Sequence, residues 1–441
     1  MLASTKDRNF TISSSISWLL FSAILLYTIN AALPRLEMLL FSGRVPIPSV
    51  SLKALEVLSL CLYFLICREI KLIEASIIIS VTFMAYLTFE MLYFYLDGKY
   101  PVEMLIFGYN TMYFFLIMSL LLSNFKSTIT TSTANRIILG VSIPVLLLGI
   151  AQSLINKPLL SIHSIDGYFN VLVWNYYGQV RAFSLFEAPA YYATYLVFFG
   201  AFVLANMLST QRLGSKIIYF ALFVLVSYSE FLALNRTGIF AYLIVIPTVF
   251  GIYKRGYGKR ALSVIMIMSF LMSVALVVAV PIISKTFNFV FAFKDQSMFE
   301  RFTEWQYWFH YLLQNPNRLV FGTGLFQSAF FRYNKDVVID NMFLAVLVQI
   351  GAIGLIFTVF IIYKIWSILV AKHIRSPSPT PVACLALLTV WPIFATFGTG
   401  LNIFPEYALL AFLVAPSLKR NRLSMDIVQN TKSYNKSHAN L

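Results

Sequence analysis

The chain alternates long apolar runs with short polar breaks, and only one polar stretch, residues 285–341, interrupts that rhythm for any length. About twenty apolar residues in a helix match the thickness of a bilayer's hydrocarbon core. The runs at 15–33, 51–67, 72–96, 103–123, 136–155, 188–208, 216–234, 237–253, 261–284, 341–364, 382–401 and 403–418 approach or meet that length, so they predict about twelve spanning helices. The last run is short and interrupted by Pro405 and Pro416. A segment inside lipid must satisfy its backbone polar groups by itself, which favours helices. The expectation is therefore an all-α polytopic membrane protein, with residues 1–441 as a single integral membrane domain.

The polar stretch has a pattern of its own. Ser297 and Glu300 have the spacing of a capping box. Met298, Phe302, Trp305, Phe309 and Leu312 then recur at helical spacing, while Arg301, Glu304 and Gln314 fall off that stripe. Such a helix is expected to lie along a membrane surface with its aromatic residues down. Asn315-Pro316-Asn317 stops it, Phe321-Gly-Thr-Gly324 reads as a turn, and Asp340 stands at the mouth of the next apolar run.

Composition agrees and narrows the class. With 59% hydrophobic residues, 12% charged residues and 41 Phe, a soluble domain is excluded. Cys61, Cys67 and Cys384 all fall inside apolar runs, so they suggest neither a disulfide framework nor a metal site. Lys6, Asp7 and Arg8 precede the first apolar run without a small-residue cleavage site, which reads as a first spanning helix. A net charge of +15 could suggest nucleic acid, but its distribution excludes that. With both termini cytoplasmic, the basic excess gathers on the inner loops and on a cytoplasmic tail at 419–441, as the positive-inside rule expects. The same orientation puts the large loop 285–340, the loop 156–188 and the Asn235-Arg236-Thr237 turn on the outer face.

Three spanning helices then begin on that face, near Ala188-Pro189, Arg236-Thr237 and Asp340-Asn341. Helix N-termini carry unpaired N–H groups and a positive dipole end, which attract anions. Arg181 precedes the first start, Arg236 lies at the second, and Arg301 lies in the loop before the third. Each has a plainer use. Arg236 suits an interfacial arginine reaching lipid phosphates, Arg181 could pair with Glu187 or Asp166, and Arg301 with Glu304 or Asp295. Asp340 is equally suited to capping a helix and to accepting a proton. His310 fits an interfacial polar residue of the amphipathic helix better than a base. The sequence holds no glycine-rich nucleotide loop, no paired-His metal spacing and no nucleophile elbow.

Three patterns together resemble the O-antigen polymerase and O-antigen ligase superfamily over residues 170–360. They are Arg181-Ala-Phe-Ser-Leu-Phe-Glu187-Ala-Pro189, then Leu234-Asn-Arg236-Thr-Gly238, and last the series Arg301 to Trp305, Phe321-Gly-Thr-Gly324, Asp340-Asn341-Met-Phe-Leu344, Gln349-Ile-Gly351 and Gly354-Leu355. The resemblance implies a bacterial inner-membrane glycosyltransferase that uses undecaprenyl-diphosphate-linked glycans as donor and acceptor on the periplasmic face, without metal or cofactor. Arg181, Arg236 and Arg301 suit that task physically as a diphosphate cradle, since arginine is a forked, always-charged donor, and Arg301 and Asp340 are the catalytic candidates. Glu187, His310 and Asn341 are further candidates. Ligases of the superfamily resemble His-Asn where this chain has Asp340-Asn341, which tilts the expectation to a polymerase of O-antigen or a related surface polysaccharide. A chain-length regulator and a flippase are the protein partners such an enzyme would work beside. The alternatives are a ligase acting on lipid A core and a transporter such as a flippase. A transporter would line a mid-membrane path with charge, whereas these charges gather at one face.

Overall fold

A computed structural model describes residues 75–96, 131–157, 175–176, 178–184, 186, 189–254, 258–272, 296–324, 341–375 and 378–397. In chain order the elements are α1 (Ala75–Leu96), α2 (Thr131–Ile155), β1 (Asn175–Tyr176), β2 (Gln179–Val180), α3 (Pro189–Ser209), α4 (Leu213–Leu232), α5 (Arg236–Lys254), α6 (Gln296–Gln314), α7 (Pro316–Phe321), α8 (Met342–Arg375) and α9 (Pro379–Phe397). Residues 259–272 are also helical. The two short strands form one antiparallel hairpin, with Asn175 opposite Val180 and Tyr176 opposite Gln179. The fold is therefore helical, as the apolar periodicity requires.

Among the described residues, five helices carry stretches long and apolar enough to cross a membrane: Ile138–Ile155, Tyr192–Ser209, Leu213–Leu232, Arg236–Tyr253 and Met342–Ala371. The expected runs at 15–33, 51–67, 103–123 and 403–418, and the tail at 419–441, lie outside the described residues. The helix α3 is the centre of the bundle, packed by α4, α5 and α9. Its tyrosines show how an apolar interior accommodates hydroxyls. Tyr192 Oη lies 2.7 Å from Ser229 Oγ on α4, and Tyr195 Oη lies 2.6 Å from Ser142 Oγ on α2. Each buried hydroxyl thus meets another, which avoids the cost of an unpaired polar group in a low-dielectric interior. Room for the Tyr192 ring comes from Gly149, where a Cβ would collide with it. Small residues opposite large ones let helices in lipid approach closely.

One helix departs from the expected single span. Residue Gly351 has φ 65° and ψ −174°, so α8 is two helices joined across a break. A break frees carbonyls, and inside a membrane they need other donors. The turn after α7 supplies them. Thr323 donates its N–H to Val348 O at 2.7 Å and its hydroxyl to the same oxygen at 2.8 Å, and Gly324 N donates to Gln349 O at 3.0 Å. Tyr86 on α1 donates its hydroxyl to Ile350 O at 2.7 Å. The Phe321-Gly-Thr-Gly324 turn is therefore a plug for the break in α8.

That contact explains two of the family-like glycines. Gly322 has φ 83°, and a Cβ there would strike Gln349 O. A Cβ on Gly351 would strike Val320 O in return. The two backbones cross with no room for a side chain on either. On the far side, α7 is tied to α1. The Arg318 guanidinium stands 5.4 Å from the centre of the Phe94 ring and attracts the buried Glu90 carboxyl.

Candidate active site

Residues 178–184 and Phe186, which carry part of the Arg181 pattern, are mostly buried and held from both sides. On one side Gln152 of α2 accepts from Ser184 N at 2.7 Å and donates to Ser184 O at 2.8 Å. Asn156, just past α2, does the same for the hairpin, donating to Gly178 O at 3.1 Å and accepting from Val180 N at 2.7 Å. On the other side Ala182 N donates to Leu232 O, the last residue of α4, at 3.0 Å. Polar side chains here replace a neighbouring strand, so an irregular backbone can be buried without orphaned groups.

Gln152 therefore has a structural load that sequence periodicity does not reveal. Its replacement by leucine removes the Gln152 acceptor from the N–H and the Gln152 donor from the carbonyl of a fully buried Ser184. Each orphaned buried group costs about 1–3 kcal/mol. Thermal denaturation of Gln152→Leu in detergent is expected to show a loss of about 2 kcal/mol or more, and a melting temperature equal to wild type would refute this role.

The segment delivers Arg181 to the turn between α4 and α5. Arg181 Nε donates to Ala233 O at 3.0 Å and Nη2 donates to Leu234 O at 3.1 Å. These carbonyls lie just past the C-terminus of α4, the negative end of its dipole, so a guanidinium is well placed there. Leu234 has φ 49°, the left-handed conformation that reverses the chain after a helix. Asn235 then caps α5, accepting from Gly238 N at 2.7 Å. Arg236 follows as the first residue of α5 and is exposed. Two of the three expected arginines thus meet on one turn, although they lie far apart in sequence. The close approach that Gly238 permits is made by the protein itself, since a Cβ there would strike Glu230 and Ala193.

Arg301 lies on α6. That helix starts by Gln296, so Ser297 is already inside it rather than at its cap. Trp305, Trp308 and Leu312 are its buried stripe, packed on Leu344 and Val348 of α8. Phe309, expected in the stripe, is 52% exposed. The correction rotates the buried face, and Arg301 takes the register position two turns before Trp308. Its side chain, with Asp340 and Glu187, lies outside the described residues. His310 is exposed on the opposite side of α6, its Nε2 2.7 Å from Gln314 Nε2. Asn341 is buried and caps α8, its Oδ1 accepting from Leu344 N at 2.9 Å. The cap considered for Asp340 belongs to Asn341.

Glu230, one turn before the Arg181 carbonyls, was not singled out as a site by its sequence. It is 2% exposed, and neither carboxyl oxygen has a hydrogen-bond partner among the described residues. An acidic residue within an apolar run was its only signal.

Residues 221–359 match the family model described as O-Antigen ligase. The matched region holds the Arg236 turn, α6, α7, the plug and the broken half of α8, while the Arg181 segment lies before it. No curated protein matches the chain.

Proposed function

We propose that this chain, which the match over residues 221–359 supports as a member of the O-antigen polymerase and ligase superfamily, polymerises lipid-linked glycan repeats on the periplasmic face of the bacterial inner membrane. The carrying observation is the convergence of Arg181 and Arg236 on the turn where α5 begins. An exposed arginine at a helix N-terminus sets a forked cation beside the positive end of the helix dipole, a combination that suits a diphosphate. Undecaprenyl diphosphate is the leaving group in this reading. The acceptor hydroxyl loses its proton to Asp340 as its oxygen attacks the anomeric carbon. The bond from that carbon to the diphosphate oxygen breaks and its electron pair stays with the phosphate. Charge accumulating there is what Arg236 and Arg301 neutralise, and fixed cations act most strongly where charge develops. The roles of Arg301, Asp340 and Glu187, the donor type and the cytoplasmic placement of both termini belong to this reading.

Alanine at Arg181, Arg236 and Arg301 in turn is expected to abolish long surface glycan while the protein level stays normal. Unchanged glycan length in all three variants would reject the site. A ligase that moves finished glycan to lipid A core is the second reading, favoured by the description of the matching family. Loss of a polymerase leaves core bearing a single repeat, and loss of a ligase leaves bare core. A deletion strain examined by gel therefore separates them.

A further inference from the structure

Two neutral hydrogen-bond donors are buried without an acceptor where α6 meets the start of α8. Trp308 is 6% exposed and Asn341 is 1% exposed. Neither Trp308 Nε1 nor Asn341 Nδ2 has a hydrogen-bond partner among the described residues. The Asn341 amide is fixed in orientation, because its Oδ1 already accepts from Leu344 N. Its Nδ2 is therefore left over and cannot be satisfied by turning the group around. Trp308 packs in one cluster with Leu344, the residue whose N–H Asn341 holds. Both donors thus lie where α6 packs on the first turns of α8.

A buried donor without an acceptor costs stability, and proteins keep such groups where a ligand satisfies them. The nearest unpartnered acceptor on α8 is Gln349 Oε1, eight residues on and about 12 Å along the axis. Among the described residues, the start of α8 therefore leaves donors over and no nearby acceptor for them, and what fits them is an oxygen-bearing ligand. An indole N–H and an amide carry no charge. A diphosphate is matched by guanidinium groups, whereas a hydroxylated ring is matched by neutral donors beside an aromatic edge.

We propose that Trp308 and Asn341 form a sugar subsite at the start of α8, which takes hydroxyl or ring oxygens of the glycan. The proposal rests on the glycosyltransferase reading above and adds where the sugar, as opposed to its carrier, is held. The register of α6 agrees with that division. Arg301 is two turns from Trp308, about 10 Å along the helix, so carrier phosphate and sugar ring can lie side by side on one helix face.

The test uses the full-length protein in nanodiscs and two probes, measured by calorimetry. One is the repeat-unit oligosaccharide cut from the source strain's surface glycan and freed of phosphate. The other is undecaprenyl diphosphate without sugar. Trp308→Phe keeps an aromatic ring and removes the N–H, while Asn341→Asp keeps the capping oxygen and removes the amide donor. Each is expected to weaken oligosaccharide binding roughly five- to tenfold, the worth of one neutral hydrogen bond, and to leave the carrier affinity as in wild type. Oligosaccharide affinity unchanged in both variants overturns the subsite, as does a wild-type protein that fails to bind the oligosaccharide. A loss that falls on undecaprenyl diphosphate instead assigns the donors to the carrier and also overturns it. Arg236→Ala is run alongside. If that variant binds undecaprenyl diphosphate like wild type, the diphosphate cradle fails by itself, and the sugar subsite is judged on its own probe.

Discussion

Replacing Gly351 with alanine is expected to destabilise the protein by about 2–6 kcal/mol, from about 1–3 for a Cβ in a glycine-only backbone conformation and about 1–3 for overpacking. Both terms apply because φ is 65° and the Cβ would strike Val320 O, a backbone atom with no rotamer to yield. Gly322→Ala should cost a similar amount, since it forces the same two strands of backbone apart from the other side. The two substitutions share one contact, so the double variant should cost less than the sum. Once the strands separate, the carbonyls of Val348 and Gln349 lose Thr323 and Gly324 as donors. Gly140→Ala is the control, because a Cβ there meets nothing within 4 Å. Melting temperatures in detergent decide the matter: Gly351→Ala and Gly322→Ala should fall well below Gly140→Ala. If all three melt together, the crossing of α7's exit with α8 is not as described.

Arg181→Ala and Arg236→Ala are expected to look alike in a glycan assay and different in a melting curve. Arg181 donates to the carbonyls of both Ala233 and Leu234, and hydrogen bonds from a charged group are worth about 1.5–3 kcal/mol each. The side chain is half-buried, so the total should lie toward the lower end of that range. Its loss should lower the melting temperature and loosen the turn that carries Arg236. Arg236 is exposed at the start of α5, so its loss should lower the melting temperature less than the loss of the half-buried Arg181. Lysine at 181 can reach one carbonyl but lacks the planar fork that spans two, so Arg181→Lys should recover only part of the stability. Equal melting temperatures for Arg181→Ala and Arg236→Ala would show that the guanidinium at 181 does not hold the turn.

The helix starts at Pro189, Arg236 and Met342 fall within a residue or two of the boundaries their sequences predict. Those boundaries are set by local chemistry: a proline that fits the first helical position, an asparagine that can cap, and the edge of an apolar run. The buried face of α6 was less well determined. Trp308 and Phe309 are adjacent aromatics, and a period of 3.6 residues admits either beside Trp305 and Leu312. Contact with Leu344 and Val348 chose Trp308. Neither the break in α8 nor its plug was visible, because Gln349-Ile-Gly351 lies inside an apolar run that looks continuous.

The order of apolar and polar residues by itself determined that this chain is a helical membrane protein, where the helices at Pro189, Arg236 and Met342 begin, and which arginines stand near those beginnings. Such features depend on residues a few positions apart, and the solvent they face fixes them. Only the tertiary structure decided that Arg181 closes on the carbonyls of a turn more than fifty residues away, that Gln152 holds the segment delivering it, and that Gly322 and Gly351 share one crossing. Those are contacts between distant parts of the chain, and their energy exists only once packing has brought a specific donor to a specific acceptor.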